Sequence, residues 1–63
     1  MPIMQVFLVD GRTEEQKAKL IAALTEAAVT SIDAPVESVR VIITEMPNTD
    51  YGIAGKTAKA LGR

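Results

Sequence analysis

The 63-residue chain has no cysteine, no histidine and no tryptophan, and its aromatic content is one phenylalanine and one tyrosine. Without cysteine no disulfide can brace the fold, and without Cys or His the common zinc sites are excluded. The same absences remove the side chains that ordinarily titrate near neutral pH. An excess of charge of one sign is also missing. Seven basic and eight acidic residues are mixed along the chain for a net charge of −1, which speaks against nucleic acid or an anionic membrane as the principal partner. No apolar run approaches the ~20 residues of a membrane span. The first residues lack the basic stretch and cleavage site of a secretory signal, so a cytoplasmic protein is expected. There is no internal repeat, no low-complexity tract and no metal-ligand spacing. Gly52 and Gly55 have no strand-to-helix context that would make a phosphate-cradling loop. No cofactor and no metal are expected.

What is present is apolar surface. Hydrophobic residues make up 48% of the chain, more than two or three small elements can hide. A chain this short forms one domain, residues 1–63, and buries only ~60% of the surface that it exposes when unfolded. Oligomerisation is the natural resolution.

The pattern along the chain gives a βαβ unit. Ile3-Met4-Gln5-Val6-Phe7-Leu8-Val9 is nearly continuous in apolar residues and reads as a strand covered on both faces. Asp10-Gly11 is turn chemistry. Thr13-Glu14-Glu15-Gln16 reads as a capping box, with both glutamates well placed at the positive end of the helix dipole. From Glu14 to about Ser31 the period is helical, with Leu20, Ile21, Leu24, Ala27, Ala28 and Ile32 on one face and Glu15, Lys19, Ala22 and Glu26 on the other. Pro35 disfavours a helical Ala34, so the helix ends near Asp33. A turn through Pro35-Val36-Glu37-Ser38 leads to a second strand, Val39 to Met46. Two strands joined by a helix run parallel with a right-handed crossover. The tail from Pro47 to Lys56 reads as a loop followed by a short hairpin or extended arm, and Thr57 to Arg63 as a last strand or a helical turn. The fold class is α+β.

Few residues suit chemistry. Pro2 directly follows Met1, and an initiator Met is commonly trimmed ahead of so small a residue, leaving a free secondary amine. An α-amine titrates near pH ~8, and an apolar site lowers that value by disfavouring the charged form. A general base works best when its pKa lies near the working pH. The plain alternative is that Pro2 signifies nothing beyond Met1 removal. Arg12 follows the first strand, either as a solvated loop charge or as a carboxylate ligand. Arg40 stands in a strand otherwise built of Val, Ile and Thr. It serves there as an edge charge that discourages aggregation, as a salt-bridge partner of Glu37 or Glu45 across a subunit contact, or as a bidentate carboxylate binder. Glu14, Glu15, Glu26 and Glu37 read as caps and solvated charges. Glu45 and Asp50 are carboxylates without a paired partner. Tyr51 lies in a glycine-flanked loop, suited equally to a pocket wall and to interface packing.

Pro2, Asp10-Gly11-Arg12, Glu15-Gln16-Lys17, Asp33-Ala34-Pro35, the run from Ser38 to Met46 and Tyr51-Gly52-Ile53 together resemble the 4-oxalocrotonate tautomerase family over essentially the whole chain. The resemblance implies βαβ protomers that pair into dimers with a four-stranded sheet carrying two helices, three dimers forming a hexamer with active sites at subunit interfaces. It implies a 2-hydroxymuconate-type dienol dicarboxylate as substrate, with Pro2 as the general base. Arg40 would bind the carboxylate beside the reacting hydroxyl and draw electron density toward it, and Arg12 would bind the distal carboxylate, the arginines coming from neighbouring subunits. The family commonly has Phe at the position of Tyr51, which shapes the apolar wall, so the phenol is a departure that bears on the exact substrate. Two other readings compete. One is a hydrating dehalogenase of the same superfamily, for which Ile53 stands where an activating carboxylate would be useful. The other is a non-catalytic small oligomeric binding protein on the same scaffold.

Overall fold

The computed structural model describes residues 1–63, and its first strand, β1 (Ile3–Val9), is made of the branched and long aliphatic side chains that favour extended backbone. It pairs in parallel with β2 (Arg40–Met46), in a register that runs from Ile3 opposite Arg40 to Val9 opposite Met46. Parallel strands need a long crossover, and α1 (Glu14–Ile32) supplies it. The helix opens on the expected capping box: the Thr13 hydroxyl accepts the Gln16 amide at 3.1 Å, and the Gln16 side-chain oxygen accepts the Thr13 amide at 2.9 Å. It closes at Asp33, which turns left-handed at φ 55° and ψ 32° ahead of Ala34 and Pro35. The second strand starts at Arg40 instead of Val39. The Val39 amide donates to the Val36 carbonyl at 3.3 Å, closing a 3-10 turn over Val36–Ser38.

Side chains alternate across this two-stranded sheet. Met4, Val6, Leu8, Val41 and Ile43 are half-buried toward α1, and Glu45 on the same face bonds the helical Lys17. The opposite face carries Ile3, Gln5, Phe7, Arg40, Ile42 and Thr44, and nothing in the chain covers it: Ile3 is 63% exposed, Phe7 61% and Ile42 49%. The expectation of a strand covered on both faces is therefore not met within one protomer. The helix shows the same shortfall. Leu20 and Leu24 are half-buried and Ala28 is buried, whereas Ile21, Ala27 and Ile32, expected on the same face, are exposed. Strands lie ~5 Å apart, so two of them are too narrow to cover the full apolar stripe of a helix about 10 Å across.

The tail resolves into a hairpin and a turn. β3 (Gly52–Ile53) and β4 (Lys56–Thr57) pair antiparallel. Ala54 and Gly55 between them both have positive φ, 52° and 82°, the mark of a type I′ turn whose twist matches the strands. The last residues form a helical turn that ends at Gly62, left-handed at φ 77°. Around it Arg63 donates to the Ala58 carbonyl at 2.9 Å and Gly62 to the Lys59 carbonyl at 3.1 Å, the pair of bonds that defines a Schellman motif. Asn48 ties this turn down, its side-chain amide donating to the Arg63 carbonyl at 3.1 Å.

Only Ala28, Ala34 and Ala58 are buried, and no large side chain is. The radius of gyration is 14.6 Å, against about 11 Å for a compact chain of this length. The accessible surface is 4739 Å², where about 3900 Å² is usual for a folded monomer of this mass. The bare sheet face, with Ile3, Phe7 and Ile42 exposed, contributes to this excess. No helix is long and apolar enough to cross a membrane.

Candidate active site

Pro2 and Arg40 stand side by side at the open end of the sheet. The Arg40 amide donates to the Pro2 carbonyl at 3.0 Å, which follows from the pairing of Ile3 with Arg40. Pro2 is half-buried, while Arg40 lies on the uncovered face. The guanidinium folds back on the 3-10 turn, where one nitrogen donates to the Glu37 carbonyl at 2.7 Å and the Val39 carbonyl at 3.3 Å. It reaches no carboxylate within the protomer. Glu45 is taken by Lys17 at 2.7 Å, and the other ion pair, Lys19 with Glu15, lies on the outer helix surface. Arg40 is thus oriented by two carbonyls that leave its charge uncompensated and most of its five donors free.

Arg12 sits at the other end. The seven residues of β1 put roughly 20 Å between Pro2 and the β1–α1 turn. Arg12 borders a hollow of about 230 Å³ together with Leu8, Gln16, Lys17 and Leu20. Tyr51 follows the far end of β2, and its carbonyl accepts the Ala58 amide at 2.8 Å. Tyr51 is 47% exposed and its hydroxyl has no hydrogen-bond partner in the chain. One protomer therefore joins Pro2 with Arg40 and keeps Arg12 and Tyr51 away from them. Sequence reasoning passed over Lys17. The signal was available, because Lys17 falls on the covered stripe with Leu20, Leu24 and Ala28, where a cation needs a reason. No three acidic, His or Cys side chains gather as a metal site.

Residues 2–61 match the sequence model of the tautomerase enzyme family. The chain belongs to that family. This tautomerase is 56% identical to the 2-hydroxymuconate tautomerase of Stutzerimonas stutzeri over 63 residues, with 100% of each chain covered. Its fold matches a 4-oxalocrotonate tautomerase isozyme from Methylibium petroleiphilum with a TM-score of 0.93 at 48% identity, covering 98% of this chain and 100% of that one. It matches the heterohexamer 4-oxalocrotonate tautomerase of Chloroflexus aurantiacus J-10-fl with a TM-score of 0.92 at 38% identity, covering 97% and 98%. The tautomerase is an isomerase that interconverts keto and enol forms by relocating one proton.

Proposed function

We propose that this tautomerase ketonises 2-hydroxymuconate or a close dienol dicarboxylate, without a cofactor, in the cytoplasm. Residues 1–63 act as one domain and assemble as a homohexamer with the active sites between subunits. Pro2, freed by loss of Met1, takes the proton from the 2-hydroxyl of the substrate and returns it to the carbon at the far end of the diene, leaving the conjugated 2-oxo acid. Arg40 binds the carboxylate beside the reacting hydroxyl and stabilises the charge that develops there. Arg12 of another subunit binds the distal carboxylate, and Tyr51 walls the site. Two anchored ends orient the diene so that one amine reaches both oxygen and carbon. The cations around the amine disfavour its protonation and keep it a base.

The observation that carries this reading is the pairing of Pro2 with Arg40 at 3.0 Å, beside a guanidinium that meets only carbonyls. The strand-length gap to Arg12 supports a site completed by a second chain. A hydrating dehalogenase would need a carboxylate to activate water, and Tyr51-Gly52-Ile53 offers none.

The test is loss of dienol absorbance with Met1-free protein and with the same chain carrying one extra N-terminal residue. Turnover by the Met1-free form alone is expected. Equal turnover by both would remove the amine from the chemistry, and turnover by neither would remove this substrate class.

A further inference from the structure

We propose that Lys17 is a second cation, beside Arg12, in the subsite that receives the distal carboxylate; the inference rests on the dicarboxylate reading above. The hollow past the end of β1 is lined by Leu8, Arg12, Gln16, Lys17 and Leu20, two cations, an amide and two aliphatic walls with no carboxylate among them. On the other side of Lys17 a second hollow of about 350 Å³ carries both Glu14 and Glu45. Lys17 and Glu45 pair at 2.7 Å, so Lys17 is held between the two hollows, lining both, while Glu45 lines only the second.

The local structure explains why. Leu8 and Glu45 are cross-strand partners on the helix-facing side of the sheet, and Lys17 comes down on them from the first turns of α1. The Lys17 and Glu45 side chains are 28% and 31% exposed, so the pair is partly withdrawn from water. An ammonium has three donors, and the bond to Glu45 uses one. The other two are unassigned. Arg12 and Lys17 line the same hollow, and an anion held there is attracted by both, with Glu45 competing for Lys17. The two cations divide the work: Arg offers a planar fork for two oxygens, Lys a point charge. Leu8 and Leu20 then face the hydrocarbon part of the ligand. The same hollow without Lys17 would hold a single positive charge.

The test compares a dienol dicarboxylate with an enol monocarboxylate that lacks the distal acid. Loss of a charge-assisted hydrogen bond in Lys17→Met is expected to raise the KM of the dicarboxylate about tenfold with little change in kcat. The KM of the monocarboxylate stays as in the parent, and Lys17→Arg recovers most of the loss. Glu45→Gln keeps the ammonium and removes the anion that competes for it, so the dicarboxylate KM falls, and an unchanged or raised KM counts against the proposal. If the pair were merely a tie between helix and sheet, Lys17→Met and Glu45→Gln would weaken both substrates alike and lower the thermal midpoint together, which would overturn the proposal. Should Lys17→Met fail to assemble, the direction of the Glu45→Gln shift decides alone. Calorimetry with adipate, a saturated six-carbon dicarboxylate, separates this proposal from the substrate assignment. Lys17-dependent adipate binding without dienol turnover would refute the substrate and keep the subsite. Dienol turnover with no dependence on Lys17 would refute the subsite alone.

Discussion

The Pro2 carbonyl and the Arg40 amide meet at 3.0 Å, and that one bond couples the start of β1 to the residue that opens β2. The bond occupies the backbone of both residues and leaves the Pro2 ring nitrogen and the Arg40 guanidinium outside the ladder. A one-residue slip of β2 would carry the guanidinium to the other face of the sheet, so sheet register and site geometry are a single constraint.

Pro2→Ala keeps the carbonyl that accepts from Arg40 and offers a primary amine in place of a secondary one. Turnover of the dienol is expected to fall by about a hundredfold or more, the scale of a lost general base. Circular dichroism should show the fold retained. A rate near that of the parent would exclude Pro2 as the base.

The two arginines should separate in steady-state kinetics. Arg40→Ala removes a cation at the point where charge develops and should lower kcat by about a hundredfold. Arg12→Ala removes binding remote from the reacting hydroxyl and should mainly raise KM, by roughly tenfold. The reverse pattern would mean that the substrate lies the other way round.

Phe7 stands at the middle of the bare face, between Gln5 and Val9 on β1 and opposite Thr44 on β2. Phe7→Asp places a charge where another apolar surface must sit. The solution mass from light scattering should fall toward that of smaller species. A mass unchanged from that of the parent would show that this face is not a subunit contact.

Ala54 holds a left-handed backbone at φ 52° in the hairpin turn. A residue with a Cβ is disfavoured there by about 1 kcal/mol, and glycine is not. Ala54→Gly should move the urea midpoint upward at fixed protein concentration, by an amount worth no more than about 0.5 kcal/mol per protomer after glycine's own entropic cost.

The elements were legible from the sequence where local chemistry decides them. The Thr13 to Gln16 capping box fixes the helix start, and Pro35 fixes its end to within a residue. Val39, β-branched and beside Arg40, reads as part of β2 in the sequence, yet its amide serves the 3-10 turn. The hairpin and the final turn stayed ambiguous because both depend on positive φ at Ala54, Gly55 and Gly62, and alanine does not advertise such a conformation. Burial was the least legible property. Periodicity shows which side chains want cover, as with Ile21 and Phe7, and cannot say whether the cover comes from the same chain. For the proposed site, residue type singles out Pro2 and Arg40 in the sequence, and only the register shows that they are neighbours. Lys17 does not stand out in the sequence, because a lysine in the second turn of a helix ordinarily reads as solvated.

Three alanines are all that the protomer buries, and the consequence is kinetic as well as structural. In the proposed assembly a second chain supplies much of the apolar burial that one protomer lacks, so refolding should be of higher than first order in protein. Apparent stability then rises with concentration by mass action. For such a chain dilution is itself a denaturant, and an assay run at nanomolar protein measures assembly before it measures chemistry.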